Sequence, residues 1–287
     1  MNGLMAESWV RGAVTVLESS GVVSIDVPSE DARYDDFTKP VYFSGLFSAR
    51  AQSDGSVLLH TSNKVTLSFS GEGVFSIERF ESIVGGDPAA QGKFSETDSR
   101  MILGLRRGEL LIDTRSLPQD SKFVVETPLG RIFCVKAVLK IGIEHDYRSG
   151  IYNLTISTSD GMVRFIDIRR EVYTIYAGQR ISGAGSYFEP AVEVGAQTDD
   201  MREEFEDFIV VLDGLDLEAI DQAELRSHSL ELRAVKEVEA ALTHIPEEGV
   251  PTETRRPRVI EFAPRAEYVT PFRAEVEPPS DWQADLF

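Results

Sequence analysis

The sequence predicts a mainly β protein, an antiparallel β-sandwich or a β-solenoid-like domain, with a C-terminal helical segment and an extended tail. Three observations carry this. From about Val14 to Val194 the chain is rich in Val, Ile, Phe, Tyr, Thr, Ser and Gly, residues that suit half-buried pleated strands and the turns between them. Apolar side chains alternate with polar ones: Val65, Leu67 and Phe69 fall between Lys64, Thr66 and Ser68, a period of two. Turn signals built on Gly, Pro, Asp and Ser recur at short spacing.

Taken in order, residues 1–20 read as an N-terminal segment and residues 21–195 as the β domain. Strands are expected at Val65–Phe69, Val74–Phe80, Glu109–Asp113, Phe123–Glu126, Arg131–Lys136, Val138–Ile143, Tyr152–Ser157, Val163–Ile168 and Val172–Tyr176. The punctuation between them is Ser53-Asp54-Gly55, Gly71-Glu72-Gly73, Pro118-Gln119-Asp120, Pro128-Leu129-Gly130, Arg148-Ser149-Gly150 and Ser159-Asp160-Gly161. Gly85 to Ser99 is polar and small, and reads as a long loop. No repeat of fixed length is visible, so a regular solenoid is not demanded.

Residues 199–245 form the helical segment. Leu225, Leu232, Val235, Val238 and Leu242 lie mostly three or four apart, an apolar stripe that packs on the β domain, pairs with another helix or binds a partner. Asp213-Gly214 is expected to break the segment into two helices. Residues 246–287 are acidic and rich in Pro, with Pro246, Pro251, Pro257, Pro264, Pro271, Pro278 and Pro279. That density denies a helix or a central strand and predicts an extended, disordered tail, dispensable for folding. Its end carries Trp282, Leu286 and Phe287, either a docking peptide or a frayed terminus.

Bulk charge excludes several partners. Across 287 residues, 29 Lys and Arg face 48 Asp and Glu, a net charge of −19. Most of such a surface repels a nucleic-acid backbone or anionic lipid, and no long basic cluster offsets it. No apolar run approaches the roughly 20 residues of a membrane span. Met1 to Gly21 has no basic cluster leading into an apolar stretch, because Glu7 and Arg11 interrupt it. The chain is expected in the cytoplasm, or in the periplasm or secreted if a signal peptide is missing from it. One cysteine, Cys134, permits no internal disulfide and no thiolate metal site, and reads as a small buried apolar residue.

Catalytic constellations do not emerge. His60, His145, His228 and His244 are scattered, with no pair at metal-ligand spacing. Glu144-His145-Asp146-Tyr147 resembles an acid–base cluster but leads into a turn and reads as solvated. Gly178 to Gly185 lacks the Lys-Ser/Thr pair and the helix of a phosphate loop. No Gly-x-Ser-x-Gly elbow with usable partners and no calcium loop is present. No catalytic, cofactor-binding or metal residue is therefore assigned, and no cofactor is expected.

One ordered set of motifs is more specific. Leu105-Arg106-Arg107-Gly108-Glu109-Leu110 precedes Val125-Glu126-Thr127-Pro128. Ser159-Asp160-Gly161-Met162-Val163 and then Ala177-Gly178-Gln179 follow. In this order, over Gly21 to Gly183, the chain resembles the FecR-type sensory domain of bacteria, in a stand-alone form. The motifs are fold determinants: Gly108 and Gly130 fall at turns and Pro128 at a strand end. Phe133-Cys134-Val135-Lys136-Ala137 lacks the Gly-Thr common in the family at that point, and the anti-sigma segment and membrane helix of the family's sigma regulators are not read here.

The resemblance implies a non-catalytic sensory or protein-interaction module of the bacterial cell envelope, with a protein partner and no enzyme activity. The alternative is a carbohydrate- or envelope-binding β domain using Tyr147, Tyr152, Tyr173, Tyr176 and Tyr187 as stacking platforms. A hydrolase using two carboxylates is the third reading. A contiguous exposed aromatic patch would favour the second, and a deep pocket holding two close acids the third.

Overall fold

Alternation and dense turn signals build strands, and the computed structural model of the chain joins them into one 15-stranded sheet. It describes residues 8–37, 41–85, 95–118, 120–186, 189–215 and 225. The chain divides into two units, Met1–His244 and Ile245–Phe287, and every described residue lies in the first. The tail read from the sequence, the later helical stripe except Leu225, and His228, His244 and Tyr187 lie outside the described residues.

The early strands are short: β1 (Ser8–Arg11), β2 (Ala13–Ser20), β3 (Val23–Val27), β4 (Ala32–Tyr34), β5 (Val41–Ser44), β6 (Phe47–Ala51) and β7 (Ser56–Thr61). β8 (Thr66–Gly85), β9 (Ser95–Asp113), β11 (Gly130–Asp146) and β12 (Ile151–Asp167) run to 17–20 residues. Between and after them come β10 (Lys122–Thr127), β13 (Val172–Tyr176), β14 (Gln179–Ser186) and β15 (Glu189–Ala196). All pairings are antiparallel except that of β10 with β9.

Each long strand serves two layers. The first layer runs β4, β3, β6, the later part of β8, the start of β9, β10, the start of β11, the end of β12, and β13. The second runs β5, β2, β7, the start of β8, the end of β9, the end of β11, the start of β12, β14 and β15. The sheet thus folds over on itself as a sandwich around one core of alternating inward residues, among them Leu67, Phe69, Phe75, Leu103, Val125, Ile141, Ile156 and Phe165.

The bends correct the sequence reading. Gly71-Glu72-Gly73 and Ser159-Asp160-Gly161 are not reverse turns between separate strands; they are the points where β8 and β12 pass from one layer to the other. Each long strand carries a positive φ there: Gly71 at 79°, Gly108 at 104°, Lys136 at 51° and Gly161 at 78°. Register shifts between Ser70 and Phe75 along β8–β9 and between Val135 and Leu139 along β11–β12 fall at the same places, as expected of bulges that bend a strand without ending it, and two more lie further along β8, at Ile77/Arg79 and Ile83/Val84. Thr114 secures the β11 bend: its Oγ1 donates to the Ala137 carbonyl at 3.0 Å and accepts from the Ala137 N–H at 2.9 Å.

Two further boundaries move. β1 and β2 belong to the sheet, with Val10, Ala13, Val14 and Val16 buried, so residues 8–20 of the segment read as separate are part of the β domain. Its short apolar runs are strands that only their distant partners reveal. β9 begins at Ser95, so the end of the expected Gly85–Ser99 loop is strand; polar side chains suit an extended ladder whose backbone supplies the bonding. The expected Thr127–Gly130 turn is present. Val125 is fully buried, and the Thr127 hydroxyl donates to the Gly130 carbonyl at 2.8 Å.

The helix α1 (Asp199–Gly214) follows β15 and stops at the expected Asp213-Gly214 break. Thr198 caps it by accepting from the Met201 N–H, and Asp199 and Asp200 suit the positive end of its dipole. Phe205, Phe208 and Leu212 pack with Leu58, Val138, Leu17 and Leu111 on the outer face of the second layer. Lys140 bonds both Glu204 (2.6 Å) and Glu109 (3.0 Å), clamping helix to sheet. Burial opposes the Lys140 charge, but hydrogen bonds to Glu204 and Glu109 outweigh it and raise its pKa.

Candidate functional site

The outer face of the first layer has no such cover among the described residues. One edge of this layer is β4; the other, unpaired among the described residues, is β13, which forms a hairpin with β12 from Met162↔Tyr176 to Ile166↔Val172. Alternation decides what each side shows. Val163, Phe165 and Ile175 point into the core, where Phe165 also stacks on Tyr173 with ring centres 6.1 Å apart. Met162, Arg164, Ile166, Val172, Thr174 and Tyr176 point outward.

The hairpin tip is fixed by Asp167. Its Oδ1 accepts the Glu171 N–H at 2.8 Å, and its own N–H donates to the Glu171 carbonyl at 3.1 Å. Tyr173 Oη donates to Glu171 at 2.6 Å, and this bond, with burial and nearby carboxylates, pushes the phenol pKa up to about 12. The Asp167–Glu171 bond also sets the ladder phase. Odd-numbered residues of β13 bond inward to β12, and Val172, Thr174 and Tyr176 turn their N–H groups to the open edge. Gln179 Oε1 takes the Tyr176 N–H at 2.9 Å.

On this face Val172 is 59% exposed, Tyr176 56% and Met162 40%. Half-buried Phe133, Val124 and Ile102 continue it inward, in register as Arg164↔Phe133↔Val124↔Ile102. Its neighbouring charges are paired: Arg131 with Glu126 at 3.0 Å, Arg79 with Glu81 at 2.8 Å. Arg164, half-buried in the middle, has no hydrogen bond or ion pair among the described residues. A guanidinium without a carboxylate, ringed by exposed Met, Val and Tyr, has the composition of a binding hot spot.

The tyrosines singled out by sequence do not form one patch. Tyr173 and Tyr176 lie on β13, on opposite faces. Tyr147 and Tyr152 lie at the β11–β12 tip of the second layer, where His145 stacks on Tyr152 (4.1 Å, 15°) and meets Tyr147 edge-on (4.5 Å, 72°). Tyr147 is 72% exposed, and Arg107 sits 5.5 Å from its ring centre while bonding both oxygens of Glu72 at 2.9 and 3.1 Å. Asp146 holds this turn by accepting from the Ser149 hydroxyl and the Arg148 N–H, which lowers its pKa. His145 is therefore the centre of an aromatic stack and not simply a solvated turn residue.

Groups with latent reactivity are occupied or sealed. Cys134 is buried, and burial pushes its thiol pKa far up. His60 is buried beside Thr66, and its pKa is lowered to about 4. Gly178 to Gly185 builds the turn into β14 and most of that strand. Among the described residues no three His, Cys, Asp or Glu side chains gather as a metal site. Arg164 and Met162 escaped the sequence reading, although Met162-Val163-Arg164-Phe165-Ile166 is apolar at both parities, the signature of a strand covered on both faces.

No protein-family model matches this sequence, and no curated protein matches it. Among solved structures, two chains called candidate anti-sigma factors from Parabacteroides distasonis ATCC 8503 are similar, one at 8% identity and a TM-score of 0.37, the other at 11% and 0.31. They cover 53% and 47% of this chain, and the match spans 60% and 52% of their own lengths. Likeness at this level transfers no function.

Proposed function

We propose that the chain is a non-catalytic, FecR-like sensory or protein-interaction module of the bacterial cell envelope, and that a protein partner engages the outer face of β12 and β13. The observation that carries the reading is Arg164, half-buried among exposed Met162, Val172 and Tyr176 and without an ion pair or hydrogen bond among the described residues. Leaving a partly desolvated guanidinium unanswered costs stability, a cost that a partner's carboxylate removes. The opposite layer carries α1, which makes this face the open one among the described residues.

The test is site-specific photo-crosslinking in the cells that make the protein. Tyr176→p-benzoylphenylalanine is expected to form a discrete protein adduct that disappears when Arg164→Ala is added. Adducts equally abundant from Val210, an exposed residue of α1, would contradict the placement.

A second reading, binding of an envelope carbohydrate, is favoured by the Tyr147 ring beside Arg107 and Glu72. An exposed aromatic face next to paired donors and acceptors suits a sugar ring. Retention on insoluble cell-wall polysaccharide that falls at least tenfold in Tyr147→Ala, with no protein adduct from position 176, would establish this reading over the first.

A further inference from the structure

We infer that the open edge of β13 accepts an extended segment of a partner protein whose outward side chains read apolar, acidic, apolar at every second residue. The inference rests on the reading of the chain as a protein-binding module and specifies the partner's chemistry. Three observations define it.

The first is the edge. Among the described residues β13 pairs on one side, with β12, and its other edge carries no strand. The ladder phase turns the N–H groups of Val172, Thr174 and Tyr176 outward, and Gln179 occupies that of Tyr176. Val172 and Thr174 therefore offer the donors and acceptors for an added strand. The second is the side-chain row. A residue paired with Thr174 lies two strand spacings, about 10 Å, from Arg164 along Phe133–Arg164–Thr174. Thr174 is small, so an acidic side chain at that position and the unpaired guanidinium meet above it. A lysine there would face the same charge with repulsion. The third is the flanks. Partner residues two positions to either side stand opposite Val172 and Tyr176, both more than half exposed, where apolar cross-strand pairs are favourable.

A second copy of this chain does not fit the same slot. The outward residues of β13 are Val172, Thr174 and Tyr176, so pairing β13 with itself brings two unanswered Arg164 side chains to one face and supplies no carboxylate.

The probe is a fluorescein-labelled peptide, Thr-Val-Thr-Glu-Thr-Val-Thr, titrated with the full chain and followed by anisotropy. Its counterpart carries Lys in place of Glu. The Glu peptide is expected to bind at least tenfold more tightly, and Arg164→Ala to abolish the difference. Thr174→Pro, which removes an outward N–H without touching the β12 ladder, is expected to weaken the Glu peptide at least tenfold; this variant carries the test if Arg164→Ala fails to melt cooperatively. Equal affinity for the two peptides, saturation by neither, or a preference unchanged in both variants would overturn the inference. So would dimerisation of the chain that Tyr176→Ala dissolves. Failure of the peptides while position 176 still yields Arg164-dependent protein adducts sinks only the proposed pattern; failure of the adducts as well sinks the module reading itself.

Discussion

His60 shows how burial becomes a pH response. Its imidazole is packed on β7 with Nδ1 3.0 Å from Thr66 Oγ1, and burial, helped by the Lys64 charge, lowers its pKa from 6.5 to about 4. Between pH 6.5 and about 4 the unfolded chain binds a proton at His60 and the folded chain does not. The contribution to stability is therefore complete above pH 6.5 and is lost progressively as the pH falls toward 4. The full loss is about 3 kcal/mol. Urea unfolding at pH 7 and pH 4.5 should show a clear fall for the wild type and a smaller one for His60→Asn; equal falls would mean that His60 does not titrate as described. Val125 tests the core at the same scale. Val125→Asp places an unpaired charge at a fully buried site and should cost on the order of 4 kcal/mol, seen as a lowered thermal midpoint. Val125 was legible because alternation around Phe123 and Val125 fixes the face. Arg164 was not, because a charged residue on a strand ordinarily reads as solvated, and only the pairing of β12 with β11 and β13 sets it between Phe133 and Thr174, away from a carboxylate among the described residues.

Among the elements, the bends are where sequence and structure differ most. The same glycine and aspartate signals mark a hairpin or a strand changing layer, and only long-range pairing separates the two. Gly161 and Gly71 distinguish the causes. Both have positive φ, but a Cβ on Gly161 would run into the Lys136 carbonyl oxygen, while one on Gly71 meets nothing within 4 Å. Gly71→Ala should cost about 1 kcal/mol from backbone strain alone. Gly161→Ala should cost roughly 3 kcal/mol, because strain and collision add. Equal costs by chemical denaturation would refute the packed bend. The helix is the other element-scale case. Phe205, Phe208 and Leu212 have helical spacing, yet they lie in so acidic a stretch that the later Leu- and Val-rich stripe dominates the reading. Phe208→Ala should cost about 3 kcal/mol, and a loss below about 0.5 kcal/mol would mean that α1 does not rest on the sheet. The strand content and the helix break were legible because both are local; the parallel β9–β10 pair and the place of β1 and β2 are settled by partners distant in sequence.

For the whole molecule the consequence is asymmetry. One sheet folds into two layers, α1 closes the outer side of the second, and the outer side of the first keeps Met162, Val172 and Tyr176 at the surface around Arg164, which has no partner among the described residues. In a chain of net charge −19, that placement gives an acidic partner segment a local cation in an apolar setting, where long-range repulsion would otherwise oppose it. The proposed interface takes in Tyr176 on the outer face of β13, while Tyr173 faces inward against Phe165 and the Tyr147–His145–Tyr152 stack lies apart from both. Hydrogen exchange of the full chain, free and bound to the partner crosslinked from position 176, tests the central claim most directly. The account predicts slowed exchange in residues 162–176 and unchanged exchange in residues 145–152. Protection confined to residues 145–152, or absent from both segments, would contradict it.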